Sequence, residues 1–237
     1  MRLDVEYSPL GDAPAPASAL SDFWLYVWMR RVAVVTAHVV ALGFTVLVTL
    51  LSRPGTSLFS WHPVCMSVAF CLCMTEGILV FSTEASPFCF KSRKAKVRLH
   101  WFLQAVMLLG GATGLGFMVA SKNVSEHSHL ATWHSVLGVA TLGAVALQAA
   151  CGLALLLPVR LRRGPTLSRL RLYHATCGLV AYLLATATVM LAVCSDWFQA
   201  SVRGLLWYAF LLLPLFPALV VMKQITGAFL PKKKITS

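Results

Sequence analysis

The chain has 237 residues, 58% of them hydrophobic and 12% charged, with a formal net charge of +12 and a mean hydropathy of +0.77. That balance excludes a soluble globular domain and defines an integral membrane protein. The basic residues adjoin apolar segments, so they read as membrane-orientation signals and not as a nucleic-acid surface.

In chain order, residues 1–22 (MRLDVEYSPLGDAPAPASALSD) hold four acids, three prolines and no apolar core, which predicts a disordered tail and not a cleaved signal peptide. Six apolar segments follow, at 32–52, 62–81, 99–120, 130–157, 172–195 and 204–229. Each has the roughly 20 residues that cross ~30 Å of hydrocarbon. Pro214 and Pro217 interrupt the last, and residues 231–237 form a basic tail. The expectation is one all-α, six-span domain over 23–230. Of the seven cysteines, Cys65, Cys71, Cys73, Cys151, Cys177 and Cys194 fall in spans, where they pack as small apolar residues. No disulfide framework or zinc spacing is visible in the sequence.

Charge sets the orientation. KSRKAKVR (91–98) lies between spans two and three, and VRLRRGPTLSRLR (159–171) between spans four and five. Of the 20 Lys and Arg, all but Arg53, Lys122 and Arg203 fall on one side. The positive-inside rule places that side, and both termini, in the cytosol. The sequon Asn123-Val124-Ser125 then lies on the opposite face, as glycosylation requires.

Four of the seven histidines head consecutive spans: His62 in FSWHPVC, His100 in VRLHWFL, His134 in TWHSVLG and His174 in RLYHATCG. Because the chain reverses at each crossing, His62 and His134 share the outer level, and His100 and His174 the cytosolic one. Ionisable residues at such depth are expensive and mark function. Facing imidazoles in a helical bundle suit a metal with two open axial positions, as in haem iron. Gly138 and Gly178 each follow a histidine by four residues, on the same helical face. They leave room for a flat macrocycle, or serve ordinary small-residue helix packing.

Fourteen residues beyond a histidine a helix has turned about 1,400° and risen ~21 Å, returning close to the starting face. This step predicts Glu76 and Gln148 beside the cytosolic pair, and Gly114 and Thr188 beside the outer pair. Glu76 is the one mid-span acid, open to a polar packing role or to proton coupling. His38 has no histidine partner at its level and reads as a packing residue, while His127 and His129 read as solvated loop residues. Trp61, Trp101, Trp133 and Tyr173 beside the four histidines fit either macrocycle packing or an interfacial aromatic belt.

With SWHPVCM, RLHW, TWHSVLG and YHATCGL at the heads of spans two to five, the chain resembles the cytochrome b-561 family of transmembrane electron carriers, over about residues 30–230. The resemblance implies a four-helix haem-binding core in spans 2–5 with two haem b per chain, on His62 with His134 and on His100 with His174. Gly138, Gly178, Glu76 and Gln148 would adjoin them. It further implies cytosolic ascorbate as donor, with ferric iron or the monodehydroascorbate radical as acceptor across the membrane. For the donor it points to Lys91, Arg93, Lys94, Lys96, Arg98, Arg169 and Arg171. Span two departs from vesicle-type relatives in lacking a Tyr and an Arg near its end. The implied location is an internal membrane, endoplasmic reticulum or vesicles, and a homodimer is allowed. The competing readings are a histidine-lined transition-metal transporter without haem, and a scaffold protein whose histidines only pack.

Overall fold

A computed structural model describes residues 17–82, 92–156 and 165–229. Among them six helices are long and apolar enough to cross a membrane: Trp24–Ser52, Leu58–Leu79, Arg93–Val124, Trp133–Leu156, Leu167–Val193 and Leu205–Phe229. No strand occurs among the described residues. In hydrocarbon only the helix closes all of its own backbone hydrogen bonds, which is why apolar sequence of this length adopts it.

The first span is α1 (Ala17–Ser52). It begins inside the stretch whose acids and prolines predict a disordered tail. Residues 17–22, Ala-Ser-Ala-Leu-Ser-Asp, lie beyond the last of those prolines and carry no helix breaker. Residues 1–16 and 231–237 lie outside the described residues. The third span, α4 (Arg93–Val124), and the fifth, α6 (Pro165–Val193), also start earlier than their apolar runs. Lys and Arg propagate a helix well while their long stems reach toward water, and Pro suits a first helical position.

Span two is composite. Its first part, α2 (Leu58–Met66), is started by a capping box: Ser57 Oγ accepts from the Ser60 amide at 3.1 Å, and Ser60 Oγ accepts from the Ser57 amide at 3.4 Å. Pro63 lies within α2, the chain continues as a π-helix over Ser67–Met74, and α3 (Thr75–Leu79) completes the crossing. Side chains meet carbonyls that the wider turns leave poorly engaged. Thr45 Oγ1 donates to Ser67 O at 3.4 Å and Gln104 Nε2 to Met74 O at 3.4 Å.

Span four is α5 (Trp133–Leu156). After α6 a short helix, α7 (Asp196–Ser201), leads into the sixth span, which is divided near Pro214 into α8 (Leu205–Leu212) and α9 (Leu215–Phe229). Trp207 Nε1 donates to Val193 O at 2.9 Å and Gln224 Nε2 to Ile78 O at 2.9 Å, tying span six to spans five and two. One apolar core draws on all six spans, through Ala37, Phe70, Met107, Val145, Tyr182 and Val221 among others.

Candidate metal centre

The four histidines meet in two pairs. The rings of His62 and His134 have their centres 6.3 Å apart at 81°, and those of His100 and His174 6.3 Å apart at 83°. Each ring is steadied by the helix beside its own, within the couples formed by spans two and three and by spans four and five. His62 Nδ1 donates to Gly114 O at 2.8 Å, His134 Nδ1 to Thr188 O at 3.0 Å and His100 Nδ1 to Gly77 O at 2.7 Å. A carbonyl acceptor requires the proton on Nδ1, so Nε2 is left with its lone pair free for a metal.

His174 is held differently. Gln148 Nε2 donates to His174 O at 2.5 Å and lies 3.0 Å from His174 Nδ1. A ligating tautomer at His174 requires the Gln148 amide to present its oxygen to Nδ1, a half-turn of the side-chain amide. Gly178 is what admits Gln148: a Cβ there would come within 2.8 Å of Gln148 Nε2. The space at Gly178 is thus taken up by the end of Gln148 in this structure. At Gly138 a Cβ would meet only Thr188 Cγ2, at 3.6 Å, so protein leaves that position largely open.

Glu76 does not lie where the fourteen-residue step puts it. The π-helix turns less per residue, so the face carried from His62 to the far end of span two is displaced. The Gly77 carbonyl meets His100, and Glu76 turns to span one, where its oxygens lie 2.7 and 2.9 Å from His38 Nδ1. His38 therefore has a partner, contrary to its reading as a plain packing residue. Trp61, Trp101, Trp133 and Tyr173 are exposed at the outer surface of the bundle, Trp133 at 79%, which suits an interfacial belt. The aromatic neighbours of the histidines are instead Phe59, 6.4 Å from His62, and Phe81, 5.3 Å from His100. Sequence reasoning passed over both. The signal was present, since Phe59 lies three residues before His62 on one helical face.

The basic residues frame the His100 and His174 end. Arg93, Lys94 and Arg98 are exposed on the first turns of α4, and Arg169 and Arg171 on those of α6. Lys96 is half-buried and donates to Ser82 O at 3.2 Å. Lys91 lies outside the described residues.

These pairs meet the demands of haem ligation. Two imidazole nitrogens each ~2 Å from one metal put their ring centres roughly 6 Å apart, matching the observed 6.3 Å. Among the described residues no three His, Cys, Asp or Glu converge as a metal-binding group. Two imidazoles alone do not complete a tetrahedral or octahedral site, whereas a haem would bring the remaining ligands itself.

Fold and site together define a multi-pass helical membrane protein with two pairs of facing histidines inside its bundle. The sequence pattern of eukaryotic cytochrome b561 matches residues 61–199, which span all four paired histidines. The chain is 55% identical to the Mus musculus protein named "Probable transmembrane reductase CYB561D1", over 95% of this chain and 97% of that one. It is 48% identical to the Bos taurus "Transmembrane reductase CYB561D2", over 92% and 98%. A match at 30% over 56% of this chain and 55% of the relative is to an Oryza sativa subsp. japonica protein named "Probable ascorbate-specific transmembrane electron transporter 1". The chain belongs to the cytochrome b561 family. Membership makes it a transmembrane oxidoreductase that binds haem b and carries electrons across the bilayer.

One consequence is local. Gly178→Ala is expected to fold, because only the flexible end of Gln148 need move, yet to displace Gln148 from His174. Haem retention at that level should fall about 10-fold, as it should in Gln148→Leu. Haem titration of the two purified variants against the parent chain measures this.

Proposed function

We propose that this chain takes electrons from cytosolic ascorbate and delivers them, one at a time, to ferric iron or monodehydroascorbate on the other side of the membrane. The observation that carries the reading is the presence of two imidazole pairs of equal spacing at opposite ends of one core, without a third protein ligand among the described residues. Haem b, two per chain, would be held by His62 with His134 and by His100 with His174, and would supply a one-electron iron couple suited to electron transfer.

The residues of the chain do the rest. His100 and Gly114 lie fourteen residues apart on α4, one in the pair with His174 and the other against His62, which sets the two levels ~21 Å apart along that helix. Carbonyls of Gly77, Gly114 and Thr188 hold three of the rings in the ligating tautomer. Arg93, Lys94, Lys96, Arg98, Arg169 and Arg171 supply a positive field for the ascorbate anion. The charge distribution supports a cytosolic position for those residues and both termini, with residues 23–230 acting as one six-span unit in an internal membrane. A transition-metal transporter is the weaker reading, since among the described residues each pair lacks the further ligands that a bare ion needs.

The test is a reduced-minus-oxidised spectrum with pyridine-haemochrome quantification of the detergent-purified chain. It is followed by ascorbate-loaded proteoliposomes supplied with an external ferric chelate. Two haem b per chain and ferrous product outside are expected. A folded chain without haem that instead passes metal ions would replace this reading with the transporter. Replacing Arg98 and Arg171 together by Gln is expected to raise the apparent KM for ascorbate roughly 3–10-fold and to flatten its salt dependence. Initial rates at two ionic strengths check this.

A further inference from the structure

At the end of the bundle that carries His62 and His134, the turn from α1 to α2 and the short helix α7 enclose an open cavity of about 640 Å³. That is the size of a small-ligand site. Its wall includes Arg53, Thr56, Ser57, Phe59, Trp197 and Ser201, and among the described residues Arg53 is the one charged group that lines it. The Arg53 guanidinium has no ion-pair or hydrogen-bond partner among the described residues; only its carbonyl is engaged, by Thr56. Arg53 also holds a left-handed backbone, φ 48°, at a turn position where glycine is the unstrained choice. A free cation kept at a strained position beside a cavity marks a site and not a convenience of folding.

The cavity is wired by contact to the nearer histidine pair. The Trp197 and Phe59 rings stand 5.7 Å apart at 71°, and Phe59 stands 6.4 Å from His62 at 31°. Phe59 is thus both the cavity wall and the neighbour of His62.

We propose that this cavity docks the electron acceptor, a small oxygen-rich organic anion held by Arg53 and reduced across the Phe59–His62 contact. The proposal deepens the reading above, in which the His62 level is the exit side. Two anions share this chemistry. A ferric hydroxycarboxylate chelate gains one electron, its iron passing from ferric to ferrous with no bond to protein made or broken. A monodehydroascorbate radical anion gains one electron and takes one proton from water, giving the ascorbate monoanion.

The experiment uses the full-length, haem-loaded protein in detergent, as the parent chain, Arg53→Gly and Arg53→Lys. Glycine accepts the left-handed turn, so the first variant removes the guanidinium without straining the fold. Calorimetric binding of gallium(III) citrate, a redox-inert stand-in for the ferric chelate, and of ascorbate, standing in for its radical, is the first arm. Arg53→Gly should bind the true ligand class about 10-fold more weakly, and Arg53→Lys should recover most of the loss. Loss confined to gallium citrate assigns the chelate, and loss confined to ascorbate assigns the radical. Stopped-flow reoxidation is the second arm: Arg53→Gly should slow anionic ferric citrate at least ~5-fold and leave cationic hexaammineruthenium(III) unchanged. Equal binding of both anions by parent and Arg53→Gly, or equal slowing of both acceptors, overturns the proposal. If the parent chain is oxidised by neither acceptor, the exit-side reading fails, while the binding arm still decides the cavity.

Discussion

His100→Ala is expected to empty the His100–His174 level of haem, leave the His62–His134 level filled, and cut transmembrane electron flux by at least ~100-fold. The physical reason is that each proposed site has two protein ligands and no third among the described residues. His100 faces His174 at 6.3 Å, and among the described residues no His, Cys, Asp or Glu stands ready to replace it. Without His100 the haem would be held by His174 alone. The substitution also frees the Gly77 carbonyl that His100 engages at 2.7 Å, an acceptor in low dielectric left without its donor. A pyridine-haemochrome value falling by half, with flux lost in ascorbate-loaded proteoliposomes, is the expected result. His134→Ala should give the same halving with a different residual spectrum, because the other level then survives. An unchanged haem content in either variant would refute the assigned pairing. Full loss of haem in both, with a normal melting profile, would argue instead for a single shared site.

Much of this centre is legible in the sequence because helices three to five are regular. The step of fourteen residues reaches Gly114, Thr188 and Gln148, and each lies against the ring of a neighbouring span. The step goes astray at Glu76 because span two is π-helical over Ser67–Met74. Nothing in SVAFCLCM announces that change, since its residues are as apolar as those of any span. The carbonyl support it needs comes from Thr45 and Gln104, on other helices, so the cause is tertiary and not local. Gly178 shows a second limit. Spacing identifies a residue that must be small, but only the structure shows that the room is taken by Gln148. Likewise the cavity beside Arg53 joins two turns about 140 residues apart in sequence, a proximity that hydropathy alone does not encode.

Glu76→Leu is expected to be among the most destabilising single changes outside the histidine pairs, and His38→Leu comparable, whereas the double variant should recover most of the loss. Both side chains are 13% exposed, and His38 Nδ1 lies 2.7 Å from Glu76 Oε2. Within a span, a polar group deprived of its partner has no water to turn to. Breaking such a pair by removing one member costs about 3–5 kcal/mol, while replacing both members by apolar groups of similar volume is often neutral or stabilising. His38 Nε2 is already buried without a partner, so losing Glu76 would strand both ring nitrogens. For a chain of this size that cost corresponds to a fall in melting temperature of roughly 10 °C. Thermal unfolding of the four proteins in one detergent, followed by circular dichroism, closes the double-mutant cycle. Additive losses in the double variant would show that the two side chains act independently, contrary to the contact. Glu76 adjoins Gly77, whose carbonyl orients His100, so the single Glu76 variant should also disturb the spectrum of the His100–His174 level. His38→Leu, one helix further away, should destabilise the fold while leaving that spectrum nearer the parent's.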